Sequence, residues 1–406
     1  MTERIYLENP YLREINARVI DKQYIDNKFY LKLDRTIFYP NLKGGQPRDK
    51  GTINGLEVID VYEDEKDIVH VIGENIFSDR VQLSIDWNTR LDYMQQHSGQ
   101  HLISSIFYKL YNAETVGFYI GKTCVYIDIT IAELKKEDVI RVENFANNVI
   151  YSNFDIKTYT MGKGDVERIP IRKDPDIDSD IRIIEIDGMD YSPCSGTHHR
   201  STGEIGMIKI RNWKKYKGNI RVEFVCGKRA LKDYTWKNDC INNISTLLSS
   251  KDIDSYKKVE NLYYEKEKLK KENRNLKEKL LKYMSKELLK KRIDIGNVKI
   301  IYNIFNEESF KEISYITTIL KEDKNIICLF GMENEDKCQF ILSRSKNIDI
   351  NMGRLFKEIE KSKNIKGGGN AERVQGKCEK ADLKYILNSS FKLIESSIKE
   401  KVTPNN

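Results

Sequence analysis

The chain has 406 residues, 39% of them hydrophobic and 32% charged, with a formal net charge of +7. That apolar share supplies ordinary cores and is too high for a disordered chain, and the length accommodates about two to four domains. No run approaches the ~18 consecutive apolar residues of a membrane span, the charged opening MTERIYLENPYLREI lacks an export signal's apolar stretch, and seven scattered cysteines point to reduced thiols in a cytoplasmic protein rather than to a disulfide scaffold.

Taken in chain order, the pattern predicts an α+β protein. Residues 1–88 alternate in short Val/Ile-rich runs, such as Phe29–Asp34 and Gly51–Val71, which predicts a small β-barrel. Phe38-Tyr39-Pro40-Asn41-Leu42-Lys43-Gly44-Gly45-Gln46-Pro47 interrupts them as a turn. Residues 89–227 form a mixed unit. Leu91, Met94, Leu102, Ile106 and Leu110 recur at helical spacing, a second helix is expected over 132–152, and strands are expected at Val125–Ile129, Ile181–Ile186, Ile205–Arg211 and Ile220–Cys226.

Residues 228–292 read as one long basic helical linker. Val259, Leu262, Leu269, Leu276 and Leu280 fit a and d heptad positions, with Lys266 and Asn273 at the intervening a positions. Lys251–Arg292 carries 15 Lys+Arg against 8 Asp+Glu, so the whole net positive charge lies in this segment. A basic rod on neutral globular parts favours an anionic partner, nucleic acid first; a solvated lysine-rich helix is the plainer reading. Residues 293–406 give a small α/β domain in which Lys366-Gly367-Gly368-Gly369-Asn370 reads as a glycine loop between two helices.

Chemistry concentrates in the five histidines. His97-Ser98-Gly99-Gln100-His101 places two imidazoles one helical turn apart on one face. Cys194-Ser195-Gly196-Thr197-His198 adds a thiol and a third imidazole around small residues that permit a tight turn. His97, His101, Cys194 and His198 together make the N/S set that Zn²⁺ favours, one ion per chain. Four protein ligands suit a structural ion, but one could yield to water. His199 is a spare group that breaks the spacing to Cys194.

Met94-Gln95-Gln96-His97-Ser98-Gly99-Gln100-His101, Cys194–His198, Thr202-Gly203-Glu204-Ile205-Gly206 and Arg221–Gly227 resemble the editing domain of alanyl-tRNA synthetases and their free-standing relatives. Upstream, Phe38-Tyr39-Pro40 with Gly44-Gly45-Gln46-Pro47 resembles the family's glycine-rich motif, with two glycines where the family usually has three. Downstream, Gly367–Gly369 with Gln375-Gly376 is similar to the synthetases' C-terminal glycine-rich domain. The resemblance spans essentially the whole chain in order, and no aminoacylation domain has a counterpart. It implies a β-barrel with a glycine-rich loop (1–88), a zinc-containing editing domain (89–227), a coiled-coil-like linker (228–292) and a C-terminal domain for tRNA binding and dimerisation (293–406).

The implied activity is hydrolysis of mischarged alanine tRNA: seryl-tRNA(Ala), with glycyl-tRNA(Ala) as a further substrate. His97, His101, Cys194, His198 and Gln100 are the expected catalytic set. Gly44, Gly45, Gln46, Thr115 and Gly117 are expected against the substrate, and Gly367, Gly368 and Gly369 against tRNA. A homodimer through the linker and last domain fits the heptads, and no membrane partner is expected. Editing of another mischarged tRNA and a non-catalytic tRNA-binding module with structural zinc are the rival readings. A zinc peptidase is a distant third, because Gln100 rather than Glu precedes His101.

Overall fold

In the N-terminal part of the computed structural model, which describes residues 1–41, 45–166, 168–172, 180–333, 338–360 and 365–402, alternating apolar residues line the inside of a closed barrel. Its strands run in the order Glu14–Ile25, Lys28–Leu33, Asp67–Ile72, Leu56–Asp64, Gly51–Ile53 and Arg80–Ile85. Leu31, Leu33, Ile53, Val61, Ile72 and Leu83 fill it.

The helix Trp87–Tyr111 comes directly after the last barrel strand. Asp86 caps it, accepting from the N–H groups of Asn88 and Thr89, and Asn112 ends it at a left-handed φ of 52°. Its C-terminal half buries Leu102, Ile103, Ile106 and Phe107 against a four-stranded sheet of order Ile208–Tyr216, Asn219–Cys226, Val125–Ile129 and Thr115–Ile120. Gly99 permits this close approach, because a Cβ there would overlap the Cys226 sulfur. The helix Lys136–Ser152 covers the same core, and a three-stranded sheet of Ile156–Met161, Ile181–Ile186 and Asp190–Pro193 lies alongside in sequence.

The fold class is α+β, and the chain divides into two units, Met1–Asp252 and Ile253–Asn406. The expectation of one unbroken helix across 228–292 is corrected. Helix Gly227–Leu247 stops, Ser249 adopts a left-handed φ of 46°, and a new helix runs over Ser255–Lys290. Ser249, Ser250 and Asp252 favour breaks because their side chains compete for backbone hydrogen bonds. The Ser250 N–H closes the first helix on the Ser245 carbonyl at 2.9 Å.

The second unit is built on a six-stranded sheet of order Ile293–Ile295, Val298–Phe305, Ile326–Met332, Cys338–Arg344, Arg373–Cys378 and Lys366–Gly369. Leu281 and Leu288 of the long helix pack on one face with the helix Phe310–Leu320. Met352–Glu360 and Lys380–Val402 cover the other. The expected glycine loop is instead the edge strand Lys366–Gly369, paired antiparallel so that Gly367 opposes Gly376. A side chain on Gly376 would collide with Phe340, and a Cβ on Gly367 would lie 2.9 Å from the Phe356 ring, so glycine lets this pairing form above the core. Among the described residues, no helix is long and apolar enough to cross a membrane.

Candidate metal centre

His97 and His101 project from the buried face of the Trp87–Tyr111 helix. Cys194 and His198 come from the turn after strand Asp190–Pro193. Arg182 clamps that turn, its guanidinium donating to the carbonyls of Cys194 at 2.8 Å and Gly196 at 2.9 Å. The Gly196 N–H donates to the Cys194 sulfur at 3.3 Å. The ligand atoms of His97, His101, Cys194 and His198 all lie within 4.8 Å of one another. Cys194 Sγ is 3.4 Å from His97 Nε2 and 3.2 Å from His198 Nε2. These four side chains could hold a metal ion.

Each imidazole is aimed by a bond to its other nitrogen. His97 Nδ1 donates to Gln46 Oε1 at 2.8 Å. The neighbours of Gln46 set its orientation, since its oxygen accepts from the Thr197 N–H at 3.0 Å and its amide donates to Thr197 Oγ1 at 2.9 Å. His198 Nδ1 lies 3.3 Å from Ser98 Oγ, and His101 Nδ1 lies 3.4 Å from Asp190 Oδ2. Asp190 is itself held by Arg172 Nε at 2.8 Å and Ser192 Oγ at 2.9 Å. Such outer bonds fix the tautomer and leave the second nitrogen's lone pair for an ion. The Phe118 ring stacks on His97 at 5.3 Å between centroids.

The electrostatics suit a cation. Burial pushes the Cys194 thiol up, but the positive potential of His97, His198 and His101 outweighs it and holds the thiol well below its ordinary range. Burial pulls His101 down, yet the Cys194 thiolate and the Asp190 carboxylate raise it to about 9. A thiolate and a carboxylate thus face this buried cluster. Three imidazole nitrogens and one thiolate are a donor set that Zn²⁺ favours, so the residues present fit that ion.

The other expected site residues take varied positions. Gly44 lies outside the described residues. Gly45 has a φ of 85°, and a Cβ there would overlap the Phe118 ring. Its carbonyl accepts from the Ile120 N–H at 3.2 Å. Gln46, expected against the substrate, is the group that orients His97. Gln100 is buried on the site helix and donates to Ser104 Oγ at 2.9 Å, which in turn accepts from Thr115 Oγ1 at 2.8 Å. Thr115 and Gly117 lie in strand Thr115–Ile120, where Gly117 pairs with Asp128. Gly367, Gly368 and Gly369 belong to the second unit.

His199 points away from the cluster: its Nδ1 is 3.3 Å from the Tyr11 hydroxyl and 3.4 Å from Glu204. Asp190, Ser98, Arg182 and Phe118 support the cluster although the sequence does not single them out. Ser98 stands inside the histidine motif and Asp190 four residues before Cys194, but nothing in their spacing marks them.

Gly196 carries a sharp prediction. A Cβ there would overlap the His97 ring and lie 2.9 Å from Gln46 Oε1. Gly196→Ala should therefore turn His97 out of line and weaken divalent-ion affinity by about 10–100-fold, read by competition against a chromophoric chelator.

Residues 181–223 match the family described as Threonyl and Alanyl tRNA synthetase second additional domain. The chain is 32% identical over 397 residues to the alanyl-tRNA editing protein AlaX-L of Pyrococcus horikoshii, covering 93% of this chain and 95% of that one. It is 30% identical over 369 residues to the alanyl-tRNA editing protein Aarsd1 of Danio rerio, covering 88% of each. It is also 29% identical over 398 residues to the alanine-tRNA ligase of Ignicoccus hospitalis, but spans 41% of that longer protein.

Proposed function

The chain belongs to the alanyl-tRNA editing proteins, and on that premise we propose that it is a cytoplasmic, zinc-dependent hydrolase that clears seryl-tRNA(Ala), and also glycyl-tRNA(Ala), in trans. The observation that carries this reading is the convergence of His97, His101, Cys194 and His198, with ligand atoms within 4.8 Å of one another.

The physical need is plain. An alanine pocket cannot exclude smaller glycine sterically, and an added hydroxyl is rejected by only about two powers of ten where it is tolerated. A second site must reward that hydroxyl. When bound, Zn²⁺ supplies a positive charge that can polarise and orient the aminoacyl ester. The chain's own residues do the rest. Gln46, Ser98 and Asp190 hold the three imidazoles in register, so the site is organised before substrate arrives. Gln100 and Thr115, linked through Ser104, offer polar atoms to the seryl side chain, and the Gly45 backbone lets the ester approach closely.

Lysines of the Ser255–Lys290 helix and of the Lys366–Gly369 strand contact tRNA phosphates, which position without reading sequence. Raising salt from ~50 to ~200 mM should then lower tRNA affinity at least ~10-fold, measured by filter binding, with little effect on single-turnover hydrolysis at saturating protein.

One observation favours a second reading: four protein ligands form the closed set usual for a structural ion, which suits a tRNA-binding module without catalysis. Deacylation assays decide. The proposed function requires release of serine from seryl-tRNA(Ala), sparing of alanyl-tRNA(Ala), and slower attack on seryl-tRNA(Thr). Equal rates on the two seryl-tRNAs would transfer the substrate assignment to another tRNA, and no hydrolysis by metal-loaded protein would remove the enzyme reading.

A further inference from the structure

The outer face of the barrel carries two arginines set against each other. Where strand Glu14–Ile25 pairs with Arg80–Ile85, Arg18 stands directly opposite Arg80. Their neighbours Ala17 and Val81 fill the barrel, so the two arginines point outward, and both are exposed. Directly opposed residues hold their Cβ atoms about 5 Å apart, where like charges repel. Among the described residues, neither guanidinium has a hydrogen-bond or ion-pair partner; only their main chains are bonded, to Asp34, Ser78 and across the ladder.

Arg18 and Arg80 line a groove of about 470 Å³ together with Arg35, Asp34, Asn16 and Gln82. Three positive charges thus face one negative charge. The Asp34 carboxylate is already engaged, accepting from the N–H groups of Arg18 at 2.6 Å and Arg35 at 2.9 Å. Arg35 Nε comes only within 3.8 Å of Asp34 and 3.9 Å of Glu3. An anion seated between Arg18 and Arg80 would turn their repulsion into attraction.

A bare aromatic ring stands beside the arginines. Phe77 is 90% exposed, three residues before Arg80. Its loop is nonetheless pinned on both sides. Lys22 Nζ donates to the Ile76 carbonyl at 2.9 Å, the Val19 N–H donates to the Asp79 carbonyl at 2.8 Å, and Ile76 is buried in the barrel core. The loop therefore holds the ring out in water, where it contributes nothing to the fold. A ring beside paired arginines is the combination that takes a nucleobase and its phosphate. Asn16 and Gln82, opposed on the same outward ladder, add amides suited to sugar hydroxyls and base edges and of no use against acyl chains.

We infer that this strip of the barrel binds an unpaired segment of tRNA, with a phosphate between Arg18 and Arg80 and a base stacked on Phe77. The inference rests on the reading of tRNA as the ligand and adds a contact on the first unit, apart from the lysines already assigned.

The test measures binding of an alanine tRNA transcript to the full chain by filter retention over a range of salt. Arg18→Gln with Arg80→Gln should weaken binding about 10-fold at ~100 mM salt and flatten the slope of log affinity against log salt by about 1. Because it removes opposed like charges, it should not lower the melting temperature. Phe77→Ala should weaken binding about 10-fold with the salt slope unchanged, and Phe77→Trp should retain parent affinity.

Parent affinity and slope in the arginine variant would overturn the inference. A weakened arginine variant beside an unaffected Phe77→Ala would also overturn it, leaving a duplex phosphate contact without a stacked base. Binding of the parent to phosphatidylcholine–phosphatidylserine vesicles, lost in both variants while tRNA affinity stays constant, would give the strip to a membrane surface instead. The editing assignment fails on a different result, a parent protein that binds tRNA and releases no serine.

Discussion

Replacing His101 with Ala should reduce bound metal from one ion per chain to a small fraction and slow seryl-tRNA(Ala) hydrolysis by about a thousandfold. His101 is the most diagnostic of the four because its loss orphans little. Its partner Asp190 keeps Arg172 at 2.8 Å and Ser192 at 2.9 Å, so no buried carboxylate is left without donors. The helix that carries residue 101 remains anchored by Leu102, Ile103 and Ile106 in the core. Circular dichroism and tRNA affinity should therefore match the parent protein. Three measurements on one variant separate the readings: metal content by atomic emission, deacylation rate, and tRNA binding. A variant that loses metal yet hydrolyses at the parent rate would assign the ion a purely structural role. A variant that unfolds would show that the ion is needed to close the turn, and Gly196→Ala then supplies the milder perturbation.

The second large effect lies in stability. Arg90 and Asp49 are both fully buried and paired. Arg90 also donates to the carbonyls of Pro10 at 2.8 Å and Ile37 at 2.6 Å, joining the first turns of the site helix to the barrel. Arg90→Ala strips a buried carboxylate of its counter-charge and leaves the buried Ile37 carbonyl and the part-buried Pro10 carbonyl without that donor, a loss of about 3–5 kcal/mol. For a unit of this size the melting temperature should drop by roughly 10 °C in calorimetry. Arg90→Met combined with Asp49→Leu removes both charges and should recover part of the loss. It cannot recover all, because the Asp49 carboxylate also accepts from the Tyr39 N–H at 2.6 Å. A shift below ~2 °C for Arg90→Ala would mean that water reaches this pair.

Much of the candidate site is legible in the sequence because it is local. His97 and His101 share a helical face by spacing alone, and Cys194 and His198 are close along a glycine-containing turn. The meeting of the two pairs across about a hundred residues is suggested by their donor chemistry and by resemblance, not by any periodicity. The groups that aim the ligands are illegible for a related reason. Gln46 reaches His97 from another part of the chain, and a glutamine beside two glycines reads equally well as a substrate contact. Phe118 sits on an ordinary strand until its ring is seen against His97.

The break between Leu247 and Ser255 is weakly marked in the sequence. Asn238–Ser250 carries no Lys or Arg, so the basic segment starts only at Lys251, and the serine pair and Asp252 hint at a stop. The strand Lys366–Gly369 is hidden by composition, since three glycines argue against a strand unless the side chains around it leave no room for anything larger. Phe340 and Phe356 leave none at Gly376 and Gly367.

Several bonds tie the first ninety residues to the remainder of their unit. Arg90 grips the barrel, Arg182 donates to the Leu7 carbonyl at 3.2 Å, the Tyr11 hydroxyl donates to the Glu204 carboxylate at 2.7 Å, and Gln46 spans from the glycine motif to His97 and Thr197. The consequence is thermodynamic. Regions joined by buried polar bridges do not open independently, so Met1–Asp252 should melt as one cooperative block and exchange its barrel and helix amides at a common, global rate. A fragment beginning at residue 89 would then retain every ion-binding side chain and still lack the rigidity that makes them a site.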